Sequence, residues 1–264
     1  MHAILNIAVK AAREAATIIN RYAPDVDRID IRDKSATQKV SEVDLMANEA
    51  IISEIKKNYP DHQIISEEGT DHSGAEDAEY TWIIDPLDGT NNFIHGNPYY
   101  CVSIAIKRED ELQYAVIIDP SRQDIFTATR GAGAQLNDMR IRVSNTKRLN
   151  DALLSTGMPF RDPTEIKPWL RSYAAVLPRA NSIVRAGASA LDLAYVAAGR
   201  YDGLWQVGLK PWDISAGALM VIEAGGLISG INGKQDYLNS GEVVCGNSNI
   251  HEKLQQLVNA HMST

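Results

Sequence analysis

The stretch from Trp82 to Thr90, Trp-Ile-Ile-Asp-Pro-Leu-Asp-Gly-Thr, limits what this chain can fold into more than any other. An apolar run of strand type ends on Asp85, and a second carboxylate, Asp88, follows three residues later. Pro86 fixes φ and removes a backbone N–H, so the strand is expected to stop at Asp85 and the chain to turn. Such a turn presents both carboxylates at the strand end with the Leu87 carbonyl between them. Gly89 then lets backbone N–H groups approach an anion, and Thr90 adds a hydroxyl. Hard oxygen ligands beside a phosphate-sized notch suit Mg²⁺-assisted phosphoryl chemistry. The same residues also read as a plain turn, because Asp-Pro and Asp-Gly pairs form turns that bind nothing.

Around this stretch the pattern predicts an α+β fold. Leu5, Ala8, Ala12, Ala15, Ile19 and Tyr22 recur at helical spacing. A loop region is expected from Asp25 to Lys39, and a second helix from near Ser41 to about Tyr59, followed by Pro60. Strands are expected at Gln63–Ser66, Tyr80–Asp85, Cys101–Lys107, Tyr114–Asp119 and Ile125–Thr129, with a hairpin tip between Lys107 and Glu111. Helices followed by consecutive strands imply helices packed on a largely antiparallel sheet. Past Arg140 the pattern alternates. Strands are expected at Ala152–Thr156, at Leu204–Val207, and near Leu227 and Val243. Helices are expected at Ile166–Leu177, Ser189–Ala198, Asp213–Ala224 and from Ile250. No linker or repeat separates the parts, so the break near residue 145 divides packed halves.

Two further acidic features share the grammar of Asp85. Ile64-Ile65-Ser66-Glu67 is a short strand-like run ending in acid, and Asp213 opens a helix after Pro211. Taken singly, Asp213 reads as a helix N-cap and Glu67 as a solvated loop residue. Taken together, Glu67, Asp85, Asp88 and Asp213 carry four negative charges that two Mg²⁺ ions would neutralise. Without cations, such a cluster has to protonate in part. Asp44 reads equally as a fifth member and as the partner of Ser41 in a capping-box-like helix start.

The motif from Trp82 to Phe93, with Trp212-Asp213-x-x-Ala216-Gly217 and Gly225-Gly226, resembles the inositol monophosphatase family. Leu5-Asn6-Ile7-Ala8 and the run from Leu191 to Arg200 are most similar to its bacterial SuhB-type branch. The resemblance spans the whole chain and implies a layered αβαβα sandwich shared with the fructose-1,6-bisphosphatase superfamily. It implies a single unit over residues 1–264 made of two packed halves, 1–145 and 146–264. It further implies Mg²⁺-dependent, Li⁺-sensitive hydrolysis of small phosphate monoesters, and a homodimer. By the resemblance Glu67, Asp85, the Leu87 carbonyl, Asp88 and Asp213 are metal ligands. Glu67 and Thr90 activate water, with Asp44 near a more weakly held metal and Lys34 on a mobile loop nearby. Leu87, Asp88, Gly89, Thr90, Arg185, Gly187, Ala188, Ser189, Gln206 and Asp213 are substrate contacts.

Three positions depart from the family pattern. Gln206 stands where many inositol-hydrolysing members carry Glu; Gln keeps one acceptor, gains two donors and loses the charge. Asn91 replaces a second Thr, and Ser215 replaces a small apolar residue, its hydroxyl free to bond back to the helix. The leading expectation is therefore phosphomonoester hydrolysis, with inositol-1-phosphate or a related polyol phosphate as substrate. A sugar bisphosphatase or nucleotide phosphatase is a second reading, in which Lys210 would hold a second phosphate. Binding to Nus factors and RNA polymerase in ribosomal-RNA antitermination, which the SuhB resemblance brings, is a third.

Other signals carry less. A net charge of −8 argues against a basic nucleic-acid footprint. Cys101 and Cys245 form no metal or redox motif, and His95 has no partner histidine at ligand spacing. Gly131-Ala132-Gly133-Ala134 lacks the third glycine of a dinucleotide loop and reads as a turn between strands. Trp205 and Trp212 read as core anchors. The amino-terminal helix contains Arg13 and Glu14, which excludes a membrane span or signal sequence there and leaves a cytoplasmic protein as the expectation.

Overall fold

Side-chain alternation along the strands builds the molecule as layers. In the computed structural model, which describes residues 2–33, 39–69, 78–159 and 162–262, the chain begins with helix α1 (Ala3–Tyr22). An antiparallel pair follows, β1 (Ile31–Asp33) with β2 (Lys39–Ser41), and then α2 (Glu42–Asn58). A seven-stranded sheet comes next: β3 (Gln63–Ser66), β4 (Tyr80–Asp88), β5 (Cys101–Arg108), β6 (Glu111–Asp119), β7 (Asp124–Thr129), β8 (Gly133–Leu136) and β9 (Met139–Arg140). The strands lie in chain order and all pairs are antiparallel except β3 with β4. A short helix, α3 (Thr90–Ile94), follows β4.

The second part contains β10 (Leu153–Thr156), α4 (Ile166–Val176), β11 (Ser182–Val184), α5 (Ser189–Ala197) and β12 (Gly203–Gln206). It continues with α6 (Pro211–Glu223), β13 (Leu227–Ser229), α7 (Tyr237–Ser240), β14 (Val243–Gly246) and α8 (Ser248–Met262). Its five strands are ordered β11-β10-β12-β14-β13, with β10 parallel to both of its neighbours.

Odd and even residues of each strand feed different cores. Trp82, Ile84, Ile104, Ile106, Val116 and Ile118 pack under α1 and α2. Their chain neighbours Ile83, Ala105, Ala115 and Ile117 face α5 and α6. In the second sheet Leu204, Val243 and Cys245 turn to that same inner layer, whereas Trp205 and Val244 turn to α4 and α8. The order of layers is α, β, α, β, α. This explains why α5 and α6 are apolar all round, for they lie between two sheets. No helix among the described residues is long and apolar enough to cross a membrane.

Several local expectations require correction. The strand does not stop at Asp85. It continues to Asp88, pairing Asp85 with Ser103 and Asp88 with Cys101, so one extra residue is bulged out on β4. Pro86 sits in that bulge, where no ladder N–H is demanded. The loop expected from Asp25 to Lys39 contains β1 and the start of β2. The short elements β8, β9, β11 and α3 were also not foreseen, because two to five residues give too little periodicity. Gly131 and Ala132 do form the expected turn, between β7 and β8.

The inner helices touch closely at Gly217. A Cβ there would lie 2.3 Å from Leu193 Cβ on α5. Gly217→Ala should therefore force α5 and α6 apart and lower the unfolding free energy by about 1–3 kcal/mol. Urea denaturation should show this as a lower midpoint with an unchanged slope.

Candidate metal centre

The cleft opens where β3, β4 and β12 end and three helices begin. Glu67 follows β3, and its N–H donates to the Ile84 carbonyl at 3.1 Å, extending the β3–β4 pairing by one residue. Asp85, Leu87 and Asp88 come from the bulged end of β4. Gly89 and Thr90 start α3, Ser189 starts α5, Gln206 ends β12, and Asp213 lies in the first turn of α6. All of these line one cleft, together with Lys39, Gly187 and the segment from Val207 to Leu209. Helix N-termini carry partial positive charge, so the architecture favours anions at this spot.

Glu67, Asp85 and Asp213 each offer a carboxylate oxygen within 4.8 Å of the others. Asp85 is 1 % exposed. Its Oδ1 accepts from the Leu87 N–H at 3.1 Å, an Asx-type turn, while its Oδ2 is buried and receives no donor among the described residues. A buried, unbonded oxygen on a carboxylate this close to two others is costly unless a cation fills the gap. The donors are all hard oxygens, the set that suits Mg²⁺ or Ca²⁺. The residues present therefore fit a divalent metal.

Asp88 lies on the same cleft but outside that close triplet. Its Oδ2 accepts from the Ala190 N–H at 2.7 Å, with the Cys101 thiol 3.7 Å away. Burial, and then the charge of Asp213, push its carboxyl up to about 8. Burial, followed by the charges of Glu67, Asp88 and Asp213, pushes Asp85 well above the ordinary carboxylate range.

The two cap-or-ligand alternatives resolve differently from either reading alone. Asp44 is 1 % exposed and is the third residue of α2. Its Oδ2 accepts from the Ser41 N–H at 2.9 Å and from the Ser41 hydroxyl at 2.5 Å, completing a capping box. Its Oδ1 faces the Thr90 hydroxyl at 2.8 Å. Asp213 is not an N-cap. The helix starts two residues earlier than expected, at Pro211, and Asp213 Oδ2 accepts from the Lys210 N–H at 2.8 Å. Pro at the first helical position explains the earlier start.

Gly89 has φ +93°, and a Cβ there would lie 3.0 Å from the Tyr99 carbonyl and 3.1 Å from Ala188 Cβ. Only glycine fits. Ala188 is buried behind the notch and Arg185 is exposed, and neither is among the residues that line the cleft. Gln206 does line it. Its Nε2 donates to the Ser189 hydroxyl at 2.9 Å and its Oε1 is buried without a donor among the described residues. Gly157 makes room for this amide, since a Cβ at 157 would stand 2.1 Å from Nε2. Lys34 lies outside the described residues. His95 is exposed and bonds the Asn91 carbonyl, Trp205 is fully buried, and the Ser215 hydroxyl bonds back to the Pro211 carbonyl at 2.7 Å.

Sequence reasoning missed Lys39, Asn48 and Gly157. Asn48 stands one turn after Asp44 on α2 and its Oδ1 accepts from the Ser66 hydroxyl at 2.7 Å, tethering the residue before Glu67. The signal was a polar pair, Asp44 and Asn48, interrupting the otherwise apolar face of Val43, Ala47, Ile51 and Ile55.

With this geometry in view, comparison with known proteins is decisive. The profile of the inositol monophosphatase family matches residues 1–263. The chain belongs to the inositol monophosphatase family. The Nus factor SuhB of Pseudomonas aeruginosa is 47% identical over 265 residues, covering 99% of this chain and 98% of that one. The Nus factor SuhB of Escherichia coli K12 is 43% identical over 250 residues, covering 95% and 93%. Among solved structures, the extragenic suppressor protein SuhB of Bartonella henselae superposes with a TM-score of 0.94 at 38% identity, covering 97% and 98%. The Thermotoga maritima IMPase superposes with a TM-score of 0.89 at 32% identity, covering 99% of each chain. Family and layered fold are thus those that the motifs imply.

The raised carboxyls set the pH dependence of the metal-free family member. Folded Asp88 keeps its proton up to about 8, whereas an ordinary carboxyl releases it near 3.8. The folded state binds more protons between those values, so stability falls as pH rises through that window. Asp88 alone is expected to contribute a loss of roughly 2 kcal/mol from about pH 6 to about pH 8 in chelator. Asp88→Asn, whose amide oxygen still accepts from Ala190, should remove that contribution and leave the fall due to Asp85. Denaturation midpoints across that range provide the check.

Proposed function

We propose that this chain is a Mg²⁺-dependent phosphomonoesterase acting on small polyol phosphates, with inositol-1-phosphate the first candidate. The observation that carries the reading is the convergence of Glu67, Asp85 and Asp213, with the buried Oδ2 of Asp85 left for a cation. Glu67, Asp85, the Leu87 carbonyl, Asp88 and Asp213 would hold the metal. Bound Mg²⁺ supplies the positive charge that offsets the carboxylates and stabilises charge on the phosphoryl oxygens.

The chain's own groups do the rest. Thr90 Oγ1 lies 2.8 Å from Asp44 Oδ1 and 3.0 Å from the Leu87 carbonyl. With its one proton donated to Asp44, it presents only lone pairs to the cleft. A water there would donate one hydrogen to Thr90 and the other to Glu67, so that the lone pair of the water points at phosphorus. Ser41 holds the far oxygen of Asp44, and Asn48 holds Ser66, so both water partners stand on restrained supports. Gly89 lets phosphate oxygens reach the backbone N–H groups that open α3. No side-chain nucleophile is required. The leaving alcohol lies against Gln206 and Ser189, neutral groups that suit hydroxyls.

The names of the relatives favour a second role beside catalysis. Proteins 43–47% identical to this chain are called Nus factors. Binding to the transcription antitermination machinery, as a homodimer, is a role that the chain would perform through its surface, independently of the cleft.

Phosphate release from inositol-1-phosphate tests the first reading. Turnover should require Mg²⁺, and Thr90→Ala should lower kcat by about 10²–10⁴-fold with the fold intact. Turnover that persists in chelator would overturn the metal assignment. Activity confined to Gln206→Glu would mean that the cleft serves a different ester. A catalytically dead Asp88→Asn that still binds Nus factors would separate the two roles.

A further inference from the structure

The charged groups lining the cleft, among the described residues, are four carboxylates and one cation, Lys39. If two divalent ions offset Glu67, Asp85, Asp88 and Asp213, a phosphomonoester dianion still brings two uncompensated negative charges. Arg185 and Lys210, the cations that sequence reasoning offered for the substrate, do not line the cleft. Lys39 does.

Its placement is set by the fold. Lys39 pairs with Asp33 and begins β2, and residues two apart on a strand share a face. The residue two positions on is Ser41, whose N–H and hydroxyl both hold Asp44, the acceptor of Thr90. β2 packs on α3, the helix that begins at Thr90. The exposed Lys39 therefore stands on the flank of the cleft where Gly89, Thr90 and Asn91 lie, and Gln206 enters separately from β12.

We propose that Lys39 is a phosphate contact, an ammonium that meets the phosphoryl oxygens of the substrate and of the product phosphate. An ammonium on a flexible stem is a point charge with three donors, able to follow a phosphate without fixing the leaving group. Its charge also draws anionic substrate into an otherwise acidic cleft. The proposal rests on the phosphatase reading above and assigns Lys39 to the phosphoryl end of the site.

Lys39→Ala, Lys39→Arg and the wild type would be compared by steady-state kinetics on an ester with a neutral leaving group and on a bisphosphate. Calorimetric titration with inorganic phosphate in Mg²⁺, and with Mg²⁺ alone, would be run alongside. Lys39 is exposed, so the alanine variant should fold normally. The expected result is a KM and a phosphate dissociation constant each raised roughly tenfold, as for one charge-assisted contact. Both esters should be affected alike, Lys39→Arg should recover most of the loss, and kcat and Mg²⁺ affinity should be unchanged. The dependence of kcat/KM on ionic strength should flatten. Unchanged phosphate affinity would overturn the proposal, as would a loss confined to the bisphosphate, which would place Lys39 at the leaving group. Should the wild type hydrolyse no ester, the phosphatase reading fails, and the phosphate titration still decides whether Lys39 binds the anion.

Discussion

Glu67, Asp85 and Asp213 bring carboxylate oxygens within 4.8 Å of one another, and at that spacing like charges in a partly buried site repel strongly. The surrounding structure is arranged to keep them from moving apart. Asp44, Asp85, Asp88 and Asp213 all solve the problem in the same way. In each, one oxygen is committed to the chain: Asp44 to Ser41, Asp85 to the Leu87 N–H, Asp88 to the Ala190 N–H and Asp213 to the Lys210 N–H. For Asp44 the other oxygen meets Thr90, and for Asp85 it is buried without a donor among the described residues. Three of these anchors are backbone N–H groups and the fourth includes one, so the hold does not depend on side-chain rotamers.

This dual use dissolves the contrast between a capping aspartate and a functional one. Capping uses the first turn of a helix, where N–H groups lack partners and the dipole is positive. A negative group needed in a cleft is stabilised most cheaply at that same place. The layered fold supplies several such turns together, because α5 and α6 lie between two sheets and start at the same end as α3. Close packing of Gly217 on Leu193, and of Ala188 behind Gly89, sets how near these helix starts approach. Core packing thereby fixes the distances at the site.

Much of this was legible in the residues, for identifiable reasons. The strand-then-acid grammar of Glu67 and Asp85 is a short apolar run ending abruptly near a carboxylate, and it located both acids of the cleft and the strands that lead to them. The long helices were visible because their periodicity is sustained, whereas the layer order came only with the family resemblance. What escaped was of two kinds. Elements of two to five residues, such as β9 and α3, contain less than one reliable period. Contacts made across the fold leave no local trace: nothing near Gly157 announces the amide of Gln206, and nothing near Ala190 announces Asp88. Pro86 misled for a third reason. Its missing N–H forbids an ordinary ladder position, but a bulge has a position that needs no donor, so the strand runs on.

The energetics of the cleft bear on whether the chemistry or the surface is what this chain is built for. Asp85 and Asp88 are held under conditions that push their carboxyls upward, which means that each ionised group destabilises the metal-free fold. Amides at the same positions would keep the anchoring acceptor and remove the repulsion, giving a fold at least as stable. A chain required only as a scaffold for partners would lose nothing by that exchange. The strained set is instead complete, with its orphan oxygen and a hydroxyl relay beside it. Such an arrangement would concentrate destabilisation at one place and release it on cation binding, which favours the proposed role of the cleft beside any role of the outer surface.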